Sequence, residues 1–135
     1  MWMRTTLSKG TVLVVDDERL MVDFLTDALS EQGYCVRVAV GVAAPRFAAD
    51  LQPDLILLDI MMPGLDGVEV CRLLRANPRT RDIPVIAVSA TRDLRAQADA
   101  MHVDDYLAKP FDLDTLTRFV QRWTRPSPLP HPVCG

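Results

Sequence analysis

The stretch Leu55-Ile-Leu-Leu-Asp59 is a short apolar run that ends abruptly at a carboxylate. Two further runs of the same kind end at polar residues, namely Thr11-Val-Leu-Val-Val15 before Asp16 and Asp17, and Val85-Ile-Ala-Val88 before Ser89. None of the three alternates between apolar and polar residues. Such runs are typical of strands that are buried on both faces, as in a parallel sheet.

Helical periodicity fills the intervals between these strands. Helices are predicted over residues 20–29, 42–51, 67–76 and 92–101 and from 112 to 123, and weaker strands over 35–39 and 105–108. Gly33 is the predicted left-handed stop after the first helix, and Asp112 is the predicted N-cap of the last one. Strand and helix therefore alternate five times. This order predicts an α/β fold with a five-stranded parallel sheet, doubly wound by five helices.

The length and composition predict one domain. The chain has 135 residues, of which 49% are hydrophobic and 24% charged, as is ordinary for a soluble globular domain. The predicted boundaries are an N-terminal extension over 1–10, the domain over 11–124, and a proline-rich tail or linker stub over 125–135. A proline at every second position from Pro126 to Pro132 excludes a helix in that tail.

The charge balance and the absence of long apolar runs narrow the functional class. A net charge of −3 with scattered basic residues argues against direct nucleic-acid binding. No run approaches the roughly 18 apolar residues of a membrane helix, and residues 1–9 do not resemble a signal peptide. Cys35 and Cys71 are expected to be reduced core residues, which favours a cytoplasmic location.

Five polar residues follow the predicted strands at one edge of the sheet. They are Asp16, Asp17, Asp59, Ser89 and Lys109. Two carboxylates ~5 Å apart repel by about 3 kcal/mol at an effective dielectric near 20, so the cluster needs compensation by a cation, a lysine or a shared proton. Lys109 supplies one charge, and Mg²⁺, or Mn²⁺ in its place, suits the oxygen ligands. Phosphoryl transfer to a carboxylate needs such a set of groups.

In these stretches the chain resembles the response-regulator receiver domain, the phospho-acceptor module of two-component signalling. The matching segments are Val12-Leu-Val-Val-Asp-Asp-Glu18, Pro53 to Gly67, Pro84-Val-Ile-Ala-Val-Ser-Ala90 and Asp104-Asp-Tyr-Leu-Ala-Lys-Pro-Phe111. The resemblance covers about residues 11–123 and implies a flavodoxin-like topology.

The resemblance also implies a role for each site residue. Asp59 would be the phospho-acceptor, and the metal ligands would be Asp17, Asp16 (mainly through water), Asp59 and the backbone carbonyl of Met61. Lys109 would pair with Asp59 at rest and with the phosphoryl group afterwards, and its bond to Pro110 would be cis. Ser89 and Tyr106 would be the switch residues.

Two residues depart from the family pattern. His102 stands where the family often has glycine, so a left-handed conformation there would be less comfortable, though tolerated. Pro45 is unusual in the predicted second helix and is expected only to shift its start.

Several of the residues also have plain structural interpretations. The acids 16 and 17 could cap a helix, Ser89 could do the same, and Tyr106 could be a half-buried strand aromatic. The arginines at 72, 75, 79 and 81 are expected to form a solvated face. The isolated His102 and His131 are not expected to bind a ligand.

The expected function is a switch rather than an enzyme acting on a separate substrate. A histidine kinase or a histidine phosphotransfer protein would phosphorylate Asp59. The surface formed by the helix over 92–101, the fifth strand and the last helix would then engage a downstream protein, and a homodimer is compatible with this surface. The alternatives are a non-catalytic interaction module and, less favoured, a phosphatase, because Ile60 and Met61 leave no second acid two residues beyond Asp59.

Overall fold

The computed structural model describes residues 9–62, 65–90, 99 and 101–124. The main strands are β1 (Thr11–Val15), β2 (Cys35–Ala39), β3 (Leu55–Asp59), β4 (Val85–Ser89) and β5 (Asp105–Ala108). The helices are α1 (Arg19–Glu31), α2 (Ala44–Leu51), α3 (Gly67–Ala76) and α4 (Leu113–Trp123), with a short 3-10 helix over Gly41–Ala43. Two two-residue strands, Met61–Met62 and Leu65–Asp66, pair antiparallel after β3.

The five main strands form one parallel sheet in the order β2-β1-β3-β4-β5. The strand order reverses between β1 and β3, which places the carboxyl ends of these strands at a crevice where ligands bind in open α/β sheets. The predicted α/β class and parallel sheet are confirmed. The predicted helix over 92–101 lies outside the described residues except for Asp99 and Met101.

Both faces of the sheet are buried, which explains why its strands lack alternation. One face carries Leu13, Val15, Ile56 and Leu58 against α2 and α3. The opposite face carries another cluster, which α1 and α4 cover, with Val12, Val14, Leu25, Leu29, Leu55, Leu57, Leu116 and Val120. Successive residues of one strand point to opposite faces, so a strand between two helical layers must be apolar throughout.

The helix ends follow local signals in the sequence. Asp112 caps α4, and its Oδ1 accepts a hydrogen bond from the backbone amide of Thr115 at 2.8 Å. Gly33 has a φ of +100°, consistent with the left-handed stop predicted after the first helix. Pro45 lies in the first turn of α2, and a 3-10 turn precedes it, so the helix starts later than predicted.

The cysteines differ from one another. Cys71 is a buried free thiol, as predicted, and burial raises its pKa. Cys35 is also buried but is disulfide-bonded, with its partner outside the described residues. The prediction that Cys35 is a reduced core residue is therefore wrong, because a buried position does not by itself indicate whether a thiol is free.

The described helices are short, and the longest has 13 residues. Within the described parts of the chain, none of them combines the length and the apolar character that a bilayer crossing requires.

Candidate functional site

The first two acids of the site follow β1, at the carboxyl end of the sheet. Asp16 is 2% exposed, and its Oδ1 accepts a hydrogen bond from the backbone amide of Glu18 at 2.8 Å. This bond holds the side chain at the turn that leads into α1. Asp17 is exposed. One acid is thus fixed and buried, and its neighbour is open to solvent.

Asp59 is the last residue of β3, the central strand of the sheet. It is 5% exposed and lies opposite Val88 of β4 in the strand register. Because β3 is packed on both sides by β1 and β4, the position of this carboxylate is determined by three adjoining strands.

Lys109 follows β5 and brings a positive charge to the acids. Its backbone amide donates to the carbonyl oxygen of Ser89 at 2.9 Å, which anchors the residue to the end of β4. Its Nζ lies 3.2 Å from Oδ2 of Asp59 and 3.4 Å from Oδ2 of Asp16. The predicted cis bond between Lys109 and Pro110 is confirmed.

The three carboxylates form a cluster that suits a cation. Asp16, Asp17 and Asp59 each offer one oxygen, and these oxygens lie within 4.8 Å of one another. Three carboxylates outnumber the single lysine charge at the cluster, so a divalent cation would restore the balance. The donors are all oxygen atoms and one of the acids is open to solvent, which fits Mg²⁺ because it takes oxygen ligands and keeps several waters.

The surroundings shift the pKa of two groups at the site. Burial raises the pKa of Asp16, and the nearby negative charge of Asp59 adds to this effect, while the amide of Glu18 and the charge of Lys109 oppose it. Burial disfavours the charged form of Lys109, but the carboxylates of Asp59 and Asp16 outweigh it and raise the pKa of the lysine. Lys109 is therefore a cation throughout the physiological range.

The remaining predicted residues lie at different depths. Ser89 is the last residue of β4 and is fully buried, next to the strand position that faces Asp59. Met61 lies two residues after Asp59, in the short strand that pairs with Asp66. Tyr106 lies within β5 rather than at its end; it is half-buried and packs against the cluster on the α2 and α3 face.

His102, which stands where the family often has glycine, has the left-handed backbone conformation considered above. Its φ is +58°, in the left-handed region that a non-glycine residue adopts at some cost. The backbone amide of His102 donates to the carbonyl oxygen of Asp99 at 3.4 Å, and its own carbonyl oxygen accepts from Nε of Arg75 at 3.3 Å.

Sequence reasoning missed two residues that the structure makes important. Arg75, assigned to a solvated face, donates hydrogen bonds to three backbone carbonyl oxygens and to Asp104. Gly67, the first residue of α3, touches the backbone directly after Asp59. Gly67 had two signals in the sequence, its place at a predicted helix start and at the end of a segment that matches the family, whereas periodicity gave none for Arg75.

The fold and the acidic cluster at the carboxyl edge define an α/β domain of the receiver class. Comparison with known proteins agrees: the model of the response regulator receiver domain matches residues 12–121. The chain belongs to this family, and it is the receiver domain of a response regulator in two-component signalling.

Two curated relatives illustrate the likeness in sequence. The "DNA-binding dual master transcriptional regulator RpaA" of a Synechocystis species is 38% identical over 117 residues, which are 84% of this chain and 48% of that protein. The "Response regulator MprA" of a Mycobacterium species is 42% identical over 108 residues, or 78% of this chain and 46% of that protein. The chain thus spans about half the length of these relatives.

A solved structure illustrates the likeness in fold. The receiver domain of the sensor histidine kinase PA1611 from Pseudomonas aeruginosa has a TM-score of 0.78 and 33% identity. The match covers 85% of this chain and 97% of that one, and that structure has a magnesium ion coordinated in its active site cleft.

Proposed function

We propose that Asp59 accepts a phosphoryl group from a phosphohistidine in a Mg²⁺-dependent reaction, and that this modification switches a protein-interaction surface. The single observation that carries the proposal is the contact of Lys109 Nζ with both Asp59 and Asp16, at 3.2 and 3.4 Å, within a cluster of three carboxylates. The donor would be a sensor histidine kinase or a histidine phosphotransfer protein.

The reaction forms one bond and breaks one. A carboxylate oxygen of Asp59 attacks the phosphorus atom in line, and the bond between phosphorus and the imidazole nitrogen of the donor breaks. The imidazole leaves with the electron pair of that bond and takes up a proton. The product is an aspartyl phosphate, which water later hydrolyses, so the domain catalyses only its own modification and its reversal.

The chain's own residues position the group and neutralise its charge. Asp16, Asp17, Asp59 and the backbone carbonyl of Met61 would hold Mg²⁺, which supplies charge neutralisation for the phosphoryl oxygens when bound. Lys109 moves from its carboxylate partners to a phosphoryl oxygen. Because the three carboxylates are gathered before the donor arrives, the fold bears the cost of their repulsion in advance.

The switch depends on the charge added at Asp59. A phosphoryl group brings about −1.5 to −2 charge and several strong acceptor oxygens. Ser89 lies at the same sheet edge and would donate its hydroxyl hydrogen to one of them. Tyr106, half-buried beside Ala87 on the neighbouring strand, would turn inward in response. The surface along β5 and α4 would then change its affinity for a downstream protein, or for a second copy of the chain, in the cytoplasm.

The test uses acetyl phosphate, a small phosphoryl donor, with the intact mass of the protein as the readout. The wild type should gain one phosphoryl group in the presence of Mg²⁺ and none with EDTA. Asp59→Asn should remain unmodified, because an amide oxygen is a poor nucleophile. Asp82→Asn, an exposed acid at the opposite edge of the sheet, is the matched control and should be modified like the wild type. A wild type that binds Mg²⁺ but gains no mass would refute the proposal.

A phosphoryl mimic separates the switch from a docking module that ignores phosphorylation. Beryllofluoride with Mg²⁺ should change the amide NMR shifts of Tyr106 and of residues along β5 in the wild type and leave Asp59→Asn unchanged. Shifts confined to the acidic cluster would argue for a docking module instead.

A further inference from the structure

Gly67 makes the closest backbone approach to the site among the glycines described. A Cβ atom at this position would lie 2.6 Å from Cα, 3.0 Å from Cβ and 3.2 Å from the carbonyl carbon of Ile60. Two of these three atoms are backbone atoms, so a rotamer change cannot relieve the overlap. Ile60 is the residue directly after Asp59.

A hydrogen bond to β4 also holds the backbone of Ile60. Its backbone amide donates to the carbonyl oxygen of Val88 in β4 at 3.2 Å, and the residue is 8% exposed. The segment between Asp59 and Met61 is thus fixed between β4 and the first residue of α3. A side chain at position 67 would have to push this segment and strain or break its bond to Val88.

Gly67 is needed for space rather than for backbone freedom. It begins a helix, and its φ does not lie in the left-handed region. Alanine would suit this backbone and favours helices over glycine by about 1 kcal/mol. A loss of function on substitution by alanine would therefore come from the contact with Ile60.

We infer that Gly67 is a positioning residue that sets the backbone between Asp59 and Met61 at the geometry a small octahedral cation requires. The inference rests on the proposed function, in which Asp59 and the carbonyl of Met61 are ligands. Mg²⁺ demands near-ideal octahedral geometry at about 2.0–2.1 Å, whereas Ca²⁺ accepts irregular sites at about 2.3–2.6 Å. A displaced segment should therefore weaken Mg²⁺ binding much more than Ca²⁺ binding.

The experiment measures the dissociation constants of Mg²⁺ and Ca²⁺ by isothermal titration calorimetry in the wild type and in Gly67→Ala. The expected result is a Mg²⁺ constant at least tenfold higher in the variant, with the Ca²⁺ constant changed less than threefold. Two control variants should keep the wild-type ratio of the Mg²⁺ dissociation constant to the Ca²⁺ dissociation constant. Val68→Ala changes the exposed neighbour, and Gly41→Ala strains a backbone with a φ of +65° that has no atom within 4 Å of the new methyl group.

The outcomes separate this inference from the function on which it rests. A wild type that binds no Mg²⁺ overturns the proposed function and this inference together. A wild type that binds Mg²⁺, with an unchanged ratio in Gly67→Ala, overturns the inference alone. An equal loss for both cations also overturns it, since a merely structural role would weaken both alike.

A measurement on the wild type decides the matter if Gly67→Ala fails to fold. Hydrogen exchange of the Ile60 amide should be slow without Mg²⁺ and should change little when Mg²⁺ is added, because the segment is held before the cation arrives. An amide that exchanges freely and becomes protected only with Mg²⁺ would overturn the inference.

Discussion

The two edges of the parallel sheet treat charge in opposite ways. At the carboxyl edge, Asp16, Asp17 and Asp59 crowd around one lysine. At the amino edge, the acids Asp54 and Asp104 are matched with donors. The same strands therefore carry a strained cluster at one end and a satisfied network at the other.

The amino edge is held by an arginine that links three segments. Arg75, in the last turn of α3, donates to the carbonyl oxygens of Arg81 and Ile83 at 2.8 and 3.0 Å and to Asp104 Oδ2 at 2.8 Å. The same oxygen of Asp104 accepts from the amide of Val85, at the start of β4, at 2.8 Å. These bonds tie α3 to the segments that enter β4 and β5.

The other acid of the amino edge, Asp54, is likewise paired with a hydrogen-bond donor. Asp54 Oδ2 accepts from the backbone amide of Thr11 at 2.7 Å, which joins the starts of β1 and β3. The amino edge therefore stabilises the fold, whereas the repulsion between the acids of the carboxyl edge lowers stability and creates a site that attracts a cation.

The largest expected effect is a gain in stability when Mg²⁺ binds the carboxyl edge. At a hundred times its dissociation constant, a ligand that binds only the folded state adds about 2.7 kcal/mol to the free energy of unfolding. The melting temperature should rise by roughly 8 °C, at about 3 °C per kcal/mol for a domain of this size. Thermal scans with MgCl₂ and with KCl of equal ionic strength measure it. If KCl raised the melting temperature equally, the salt would only be screening the repulsion between the carboxylates, without a bound Mg²⁺ ion.

The next effect concerns the amino edge. Arg75→Ala should lower the free energy of unfolding by about 2 kcal/mol, because it leaves Asp104 and three backbone carbonyls without this donor. Arg72→Ala, on the same helix, removes a solvent-exposed ion pair with Glu69 and should lower the free energy of unfolding much less than Arg75→Ala does. Urea unfolding of both variants makes the measurement. If both variants lost the same free energy of unfolding, the hydrogen bonds of Arg75 would not be what stabilises the amino edge of the sheet.

The smallest expected effect is a gain in stability from a substitution at the carboxyl edge. Asp16→Asn should raise the free energy of unfolding at pH 7 by about 1 kcal/mol, because it removes the repulsion from Asp59. Asparagine can still accept the hydrogen bond from the amide of Glu18. Burial raises the pKa of Asp16, so the contribution of this residue to stability is greatest below the ordinary aspartate pKa of 3.8 and is lost as the pH rises through its raised pKa in the folded protein.

The gain from Asp16→Asn should therefore shrink when the pH is lowered from 7 to about 4, because the raised pKa of Asp16 makes the folded wild type take up this proton at a higher pH than an ordinary aspartate does. Urea unfolding at the two pH values checks the trend, and calorimetry should show weaker Mg²⁺ binding in the variant. A loss of stability at pH 7 would mean that the pairing of Asp16 with Lys109 outweighs its repulsion from Asp59, and would remove the contrast between the edges.

Local patterns predicted much of this architecture. The three apolar runs became β1, β3 and β4, because a strand covered on both faces has no polar side to show. The start of α4 followed from Asp112, since a cap acts within one helical turn. The start of α2 was less well predicted, because Pro45 permits a helix but does not fix where it begins.

The sequence by itself determined which residues gather at the carboxyl edge, because parallel strands all end on the same side and the acids, Ser89 and Lys109 each end a strand or follow one closely. Only the tertiary structure decided that Lys109 contacts two acids at once, that Gly67 touches Ile60, and that Arg75 reaches the start of β5. The physical reason is the distance along the chain over which each kind of interaction acts. Periodicity and capping act over a few residues, whereas these contacts join segments 7, 29 and up to 93 residues apart, and their distances are determined by how the helices pack on the sheet.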